Sequence, residues 1–175
     1  MGFGTVIAAM LSVATILLAC YVCSNGGFYM ADVLTNSMIE MQQNENEILK
    51  TRIEIADIYA DETGISVSLD NTGSTKIGDF DYMDVIVKYS NTSGTAKTIR
   101  IPYQEDAGTL ENKWIVGNIS PDLVNPGILD PDEEMKLQIL LEDSLENGSI
   151  NWIMIVAPNG ARTSGYFNAS IKASN

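Results

Sequence analysis

A mainly β fold, an immunoglobulin-like antiparallel β-sandwich behind one long N-terminal hydrophobic and then amphipathic α-helix, is predicted by three features of this sequence. The first 31 residues carry no Asp, Glu, Lys or Arg, so the chain begins as an uncharged apolar run. After Thr51 the apolar residues recur every second position instead of every third or fourth. Between these alternating runs stand clusters of Asn, Gly, Pro and Ser, the residues of tight turns. With 175 residues, 45% of them hydrophobic, the chain has room for one such domain and an appendage.

The appendage comes first. Residues 3–23 read FGTVIAAMLSVATILLACYVC, and about 21 residues at 1.5 Å each span roughly 30 Å, the thickness of a bilayer's hydrocarbon core. The expected membrane anchor is Phe3, Val6, Ile7, Leu11, Val13, Ile16, Leu17, Leu18 and Val22. Residues 1–27 therefore form a transmembrane or filament-core helix, with Ser24-Asn25-Gly26-Gly27 at its exit. A cleaved secretory signal starts with a basic segment, and MGFGT has none, so the helix is expected to stay attached. Leu17-Leu18-Ala19-Cys20 is a loose lipobox, and it supplies a minor reading in which Cys20 is a lipidated terminus. Met1-Gly2 invites myristoylation, but Val6 stands where that signal wants Ser or Thr. Cys20 and Cys23 lie within the apolar run, where thiols ionise weakly and pack rather than react.

Residues 28–50 continue as an amphipathic helical stalk. Met30, Val33, Leu34, Met38, Met41 and Ile48 recur at helical spacing, while Asn36, Gln42, Gln43, Asn44 and Glu47 make the other face polar. The pattern is compatible with a plain spacer and with a short coiled coil that pairs two copies.

The sandwich is expected over residues 51–175. Its strands are read from Ile53/Ile55, Ile65/Val67/Leu69, Val85/Val87/Tyr89, Lys97/Ile99/Ile101, Met135/Leu137/Ile139/Leu141 and Phe167/Ala169/Ile171. Two nearly continuous apolar runs, Trp114-Ile115-Val116 and Trp152-Ile153-Met154-Ile155-Val156, read as central strands with both tryptophans in the core. Turns are expected at Asn71-Thr72-Gly73, Asn91-Thr92-Ser93-Gly94, Asn125-Pro126-Gly127, Asn147-Gly148 and Pro158-Asn159-Gly160.

Composition excludes much chemistry. The chain has no histidine, so it supplies neither an imidazole base nor a histidine metal ligand. A net charge of −13 and a pI near 4.1 make it unsuited to nucleic acid. No phosphate-cradling Gly-rich loop and no GxSxG elbow occurs. Two acidic clusters, Asp79-Phe80-Asp81-Tyr82-Met83-Asp84 and Asp130-Pro131-Asp132-Glu133-Glu134, lack the Gly and Glu of a calcium loop. The default for both is a solvated acidic surface, with Asp79 and Asp81 on one strand face as a weak cation site at most. No enzymatic activity, no catalytic residue, no metal ligand and no cofactor is expected. Four glycosylation sequons begin at Asn91, Asn118, Asn147 and Asn168, three of them at expected turns or strand ends.

The uncharged helix behind Met-Gly-Phe, the short polar helix, and the wording TRIEIADIY...GISVSLDNTGSTKIGDFDYMDVIVKY resemble the archaellum accessory proteins FlaF and FlaG of archaea. The turn Asp70-Asn71-Thr72-Gly73-Ser74-Thr75 and the stretch Pro126-Gly127-Ile128-Leu129-Asp130-Pro131-Asp132-Glu133-Glu134 before a strand carry the likeness furthest; the Met-Gly-Phe opening inclines it to FlaF. The resemblance implies a single-pass anchor in the cytoplasmic membrane, with the C-terminal sandwich outside. It also implies a non-catalytic stator role, tying the archaellum motor to the S-layer, with S-layer protein, motor or accessory proteins and membrane lipid as partners. The alternative it leaves is an archaellin or type IV pilin-like filament subunit, with the helix packed in a filament core and self-assembly, as a homodimer or filament, in place of lipid contact.

Overall fold

Residues 3 to 50 wind into one unbroken α-helix, α1 (Phe3–Lys50), 48 residues and so about 72 Å long. A computed structural model describes residues 2–105 and 111–170 of the chain, and these divide into two compact units, Met1–Glu45 and Asn46–Asn175. Gly26 and Gly27 remain helical, so the stalk continues the apolar segment as one rod. None of the helix's residues is buried, and its N-terminal part is long and apolar enough to cross a membrane.

Eight strands follow: β1 (Ile53–Ala60), β2 (Gly64–Asn71), β3 (Asp84–Ser90), β4 (Ala96–Ile101), β5 (Lys113–Ser120), β6 (Glu134–Leu140), β7 (Ile150–Val156) and β8 (Arg162–Asn168). They make two four-stranded antiparallel sheets, β1-β2-β6-β5 and β4-β3-β7-β8. Three connections, β2 to β3, β4 to β5 and β6 to β7, pass from one sheet to the other. Lettered in chain order with β4 as C′, this is the A-B-E-D and C′-C-F-G arrangement of an immunoglobulin-like sandwich. The core between the sheets is built from alternate residues, as Ile65, Val67 and Leu69 on β2 and Met135, Leu137 and Ile139 on β6 face Val85, Val87, Ile153 and Ile155.

The alternating runs fall on strands except Phe167/Ala169/Ile171: β8 lies earlier, so only Phe167 of that run belongs to it, and Ile171 lies outside the described residues. Two strands need a correction of phase. β1 is bulged between Ile55 and Asp57, which turns Ile53, Ile55, Ile58 and Ala60 all inward despite the odd step. β5 is bulged between Val116 and Asn118, and Trp114, Val116 and Ile119 share the inner face for the same reason. At Gly117 a Cβ would press on the Gln138 side chain at 3.0 Å, which suits this bulge to glycine.

Three expectations are overturned. β5 is an edge strand, not a central one; its apolar run is covered because residues 102–104 lie against it, with Trp114 N donating to Pro102 O at 3.0 Å and Gln104 N to Trp114 O at 2.9 Å. Trp152 points outward and is only half-buried, because Ile153 and Ile155 take the inner positions of β7. Asp79 and Asp81 share no strand face: Phe80–Tyr82 is a 3-10 turn that sends Phe80 and Met83 into the core and leaves both aspartates in solvent.

The expected turns do occur, and Gly94, Gly127, Gly148 and Gly160 all take the left-handed backbone conformation that glycine adopts without strain.

Candidate functional site

The most elaborated polar construction in the sandwich unit is where its first helical turn enters the sheets. The turn ends at Lys50, and the buried Thr51 closes it by donating from both its amide N (3.0 Å) and Oγ1 (2.9 Å) to Glu47 O. Asn159, in the β7 to β8 turn, donates through Nδ2 to Thr51 Oγ1 at 2.6 Å and to Glu47 O at 3.3 Å. From the other sheet, Ser74 N donates to Lys50 O at 2.8 Å. Gly73 makes this approach feasible: a Cβ there would sit 2.4 Å from Arg52 N and 2.5 Å from Lys50 O. The helical turn is thus bonded to the end of β2 in one sheet and to the β7 to β8 hairpin in the other.

Asn71 organises the turn that reaches the helix. It is fully buried, and Nδ2 donates to Thr75 O at 2.8 Å and Leu129 O at 3.1 Å, while Oδ1 accepts from Gly73 N at 3.1 Å. Its backbone is also paired, with Asn71 N on Glu133 O and Asp132 N on Asn71 O. Leu129 in turn exchanges both backbone bonds with Ile77.

The second acidic cluster belongs to this scaffold and corrects the expectation of a wholly solvated acidic surface. Asp130 and Glu133 are buried. Asp130 accepts from Asn125 N (3.1 Å) and from Asn125 Nδ2 (2.9 Å), and Glu133 Oε2 accepts from Asp130 N at 3.0 Å. A carboxylate holding backbone donors organises a loop as a cap does at a helix end. Among the described residues, no three His, Cys, Asp or Glu side chains gather as a metal site.

A second polar tie links β3, β4 and the segment after β6. Tyr89 Oη donates to Asp143 Oδ2 at 3.0 Å, and Lys97 Nζ pairs with the same oxygen. The Lys97 bond, then that of Tyr89, holds the Asp143 carboxyl below the usual range. Burial, then Asp143, pushes the Tyr89 phenol from 10.0 to about 12, and the bond to Asp143 raises Lys97. The lowered carboxylate contributes stability above its unfolded range that is lost as pH falls through its folded value. Both raised groups contribute stability below their unfolded values that is lost as pH rises, for Tyr89 between 10.0 and about 12. The thermal midpoint is therefore expected to be flat near neutrality and to fall toward both extremes, and Asp143→Asn should flatten both limbs in a pH series of circular-dichroism melts. Limbs unchanged in the variant would show that the triad does not set the profile.

The nine anchor residues, Phe3, Val6, Ile7, Leu11, Val13, Ile16, Leu17, Leu18 and Val22, are all exposed along α1, as are Cys20 and Cys23. An apolar surface of that extent is not left to water. Of the sequon asparagines, Asn118, Asn147 and Asn168 are exposed. Asn91 is buried, its Oδ1 accepting from Ser93 N at 3.2 Å and Thr95 N at 2.9 Å. In the sequence Asn71, Gly73 and Asn159 are marked only as turn residues; their roles at the helix junction come from contacts between distant segments.

No protein-family model matches the chain. An uncharacterized protein of Archaeoglobus fulgidus is 30% identical over 173 residues, which is 96% of this chain and 97% of that one. Among solved structures, the archaellum periplasmic stator protein FlaG from Sulfolobus acidocaldarius superposes on 67% of this chain and 99% of its own with a TM-score of 0.51 at 20% identity. The archaeal flagellum of Methanospirillum hungatei superposes on 97% of this chain and 94% of its own subunit, with a TM-score of 0.54 at 15% identity. The fold is thus shared with archaellum proteins of both kinds.

Proposed function

Since the chain belongs to one family with the Archaeoglobus fulgidus protein and has the fold of archaellum FlaG and of an archaeal flagellar subunit, we propose that it is a non-catalytic, membrane-anchored component of the archaellum. In this reading α1 crosses the cytoplasmic membrane once, the sandwich stands outside, and the molecule ties the motor to the S-layer as a stator. The observation that carries the proposal is an apolar stretch with no charge and no buried residue, continued by one unbroken helix to the sandwich.

The junction geometry suits such a tether. A pull along the helix would be delivered through Lys50 and Ser74 to the end of β2, and through Thr51 and Asn159 to the β7 to β8 hairpin. The load is therefore shared between both sheets. Exposed Asn118, Asn147 and Asn168 are the positions where glycans are proposed.

The second reading, a filament subunit, is favoured by one observation: the Methanospirillum likeness takes in helix and sandwich together. The tagged full chain, expressed in an archaeal host and extracted from membranes, decides between them. Small detergent-soluble particles, with the C-terminal part digested when protease is added to whole cells, are the expected result. Detergent-resistant fibres would establish the filament reading, and a protected C-terminal part would overturn both.

A further inference from the structure

The 3-10 turn Phe80–Tyr82 does more than bury Phe80 and Met83: together with residues 103–105 after β4 and the inner side of β5 it encloses a hollow of about 400 Å³. That is room for a small ligand or a long side chain. The floor is apolar and fixed in place. Phe80 is buried, Tyr103 lies 6.1 Å from it between ring centroids, and Val116 and Ile119 complete the surface. Trp114 backs both rings, 6.5 Å from Phe80 and 4.8 Å from Tyr103. The rim is charged, with Asp79, Asp81 and Glu105 standing around the opening and Tyr82 beside them, 76% exposed.

No ion pair offsets these three carboxylates. Among the described residues, none of them meets a cation or accepts a side-chain hydrogen bond, and no Lys or Arg lines the hollow. Asp79 stands at the cap position of the turn, yet its side chain caps nothing and stays free. A bare metal ion fits poorly, since it needs oxygens that converge, and among the described residues no three carboxylates do. A planar cation on an apolar stem fits well: its face lies on an aromatic ring, its edge donates to carboxylates, and its stem covers the floor.

We infer that this hollow receives the guanidinium group of an arginine side chain presented by a partner protein. Charge complementarity selects the occupant, and arginine is among the residues that carry most binding energy at protein interfaces. The inference rests on the tether reading for the partner being a protein, and it gives that partner a place of contact on the sandwich. The two fail separately. Arginine binding in a molecule whose C-terminal part is protected from protease would sink the topology alone, and a digested C-terminal part without arginine binding would sink the contact alone.

The test titrates the full chain, in detergent micelles at low salt, with the acetylated and amidated peptide Gly-Ser-Arg-Ser-Gly. Binding is read from broadening of the arginine side-chain NMR signals. The same peptide with citrulline for arginine keeps the shape and loses the charge, and should bind about tenfold more weakly or worse. Asp79→Asn with Asp81→Asn and Glu105→Gln should lower affinity for the arginine peptide by about tenfold or more. Glu40→Gln with Asp57→Asn and Asp132→Asn removes the same charge elsewhere and should leave affinity within about twofold, which separates the hollow from general attraction to an acidic chain. Tyr82→Ala should lose about threefold and Tyr82→Phe should keep the parent value, as stacking on the ring requires. All of these positions are exposed, and circular dichroism of each variant checks its strands. Equal binding by the two triple variants, or a citrulline peptide that binds as well as the arginine one, would overturn the inference. So would spermidine binding where the arginine peptide does not, which would assign the hollow to a free polyamine, or displacement of the peptide by micromolar calcium, which would assign it to a metal ion.

Discussion

Replacing Trp114 with alanine is expected to destabilise the sandwich by about 3–5 kcal/mol. The ring is fully buried and packs with Tyr103 at 4.8 Å and Phe80 at 6.5 Å between centroids, closing the core where β5 meets the segment after β4. Truncation leaves a cavity bounded by two other rings, and neither moves in freely, since Tyr103 is fixed by the backbone bridge to β5. One term acts the other way. Among the described residues Trp114 Nε1 has no hydrogen-bond partner, so the substitution also removes a buried donor whose burial costs about 1–3 kcal/mol, which moves the net loss toward the lower end of the range. Trp152→Ala, at a half-buried position on the outer face, should cost clearly less, about 1–2 kcal/mol. Urea unfolding followed by circular dichroism separates the two. Equal losses would mean that the two faces of β7 have been assigned wrongly.

Asn71→Ala is expected to cost a similar amount, about 3–5 kcal/mol, for a different reason. Little volume is lost, but Thr75 O and Gly73 N lose their side-chain partner, at about 1–3 kcal/mol for each group left unsatisfied, while Leu129 O keeps only its bond from Ile77 N. The geometry also predicts which part loosens first. The 72–75 turn brings Ser74 to Lys50, so amide exchange in the variant should accelerate at Ser74 and Leu129 before it does in β3 and β7. Uniform acceleration over both sheets would show that Asn71 supports global stability only, with no special role at the helix junction.

Much of this architecture was legible because burial on one face leaves a period of two in the sequence. Val85/Val87/Tyr89 and Met135/Leu137/Ile139 were read directly, and each is a strand with those residues inside. What escaped did so for identifiable reasons. In Trp152-Ile153-Met154-Ile155-Val156 both faces are apolar, so alternation vanishes and the inner set cannot be told from the outer. The outward members of that run, Trp152, Met154 and Val156, stay half-buried on the outer face. Trp114 was placed in the core correctly, but its strand was placed centrally, since cover by residues 102–104 looks in sequence like cover by another strand. Asp130 and Glu133 were read as solvated because composition records charge and not the backbone donors that a loop turns toward it. The junction was least legible: Thr51, Gly73 and Asn159 are separated by up to 108 positions, and nothing local marks them as neighbours.

The two irregularities in the first sheet fall on β1 and β5, which are its two outermost strands, while β2 and β6 between them run true. An outermost strand offers unpaired amides and carbonyls to any extended segment that drifts past, although on β5 the stretch around Trp114 is already covered by residues 102–104. In the membrane-anchored state proposed above, copies of this chain would meet often, and straight borders would let them zip together strand on strand. The extra residues at Ala56 and Gly117 break the hydrogen-bonding cadence at both borders, so that a segment arriving there finds no straight ladder to continue.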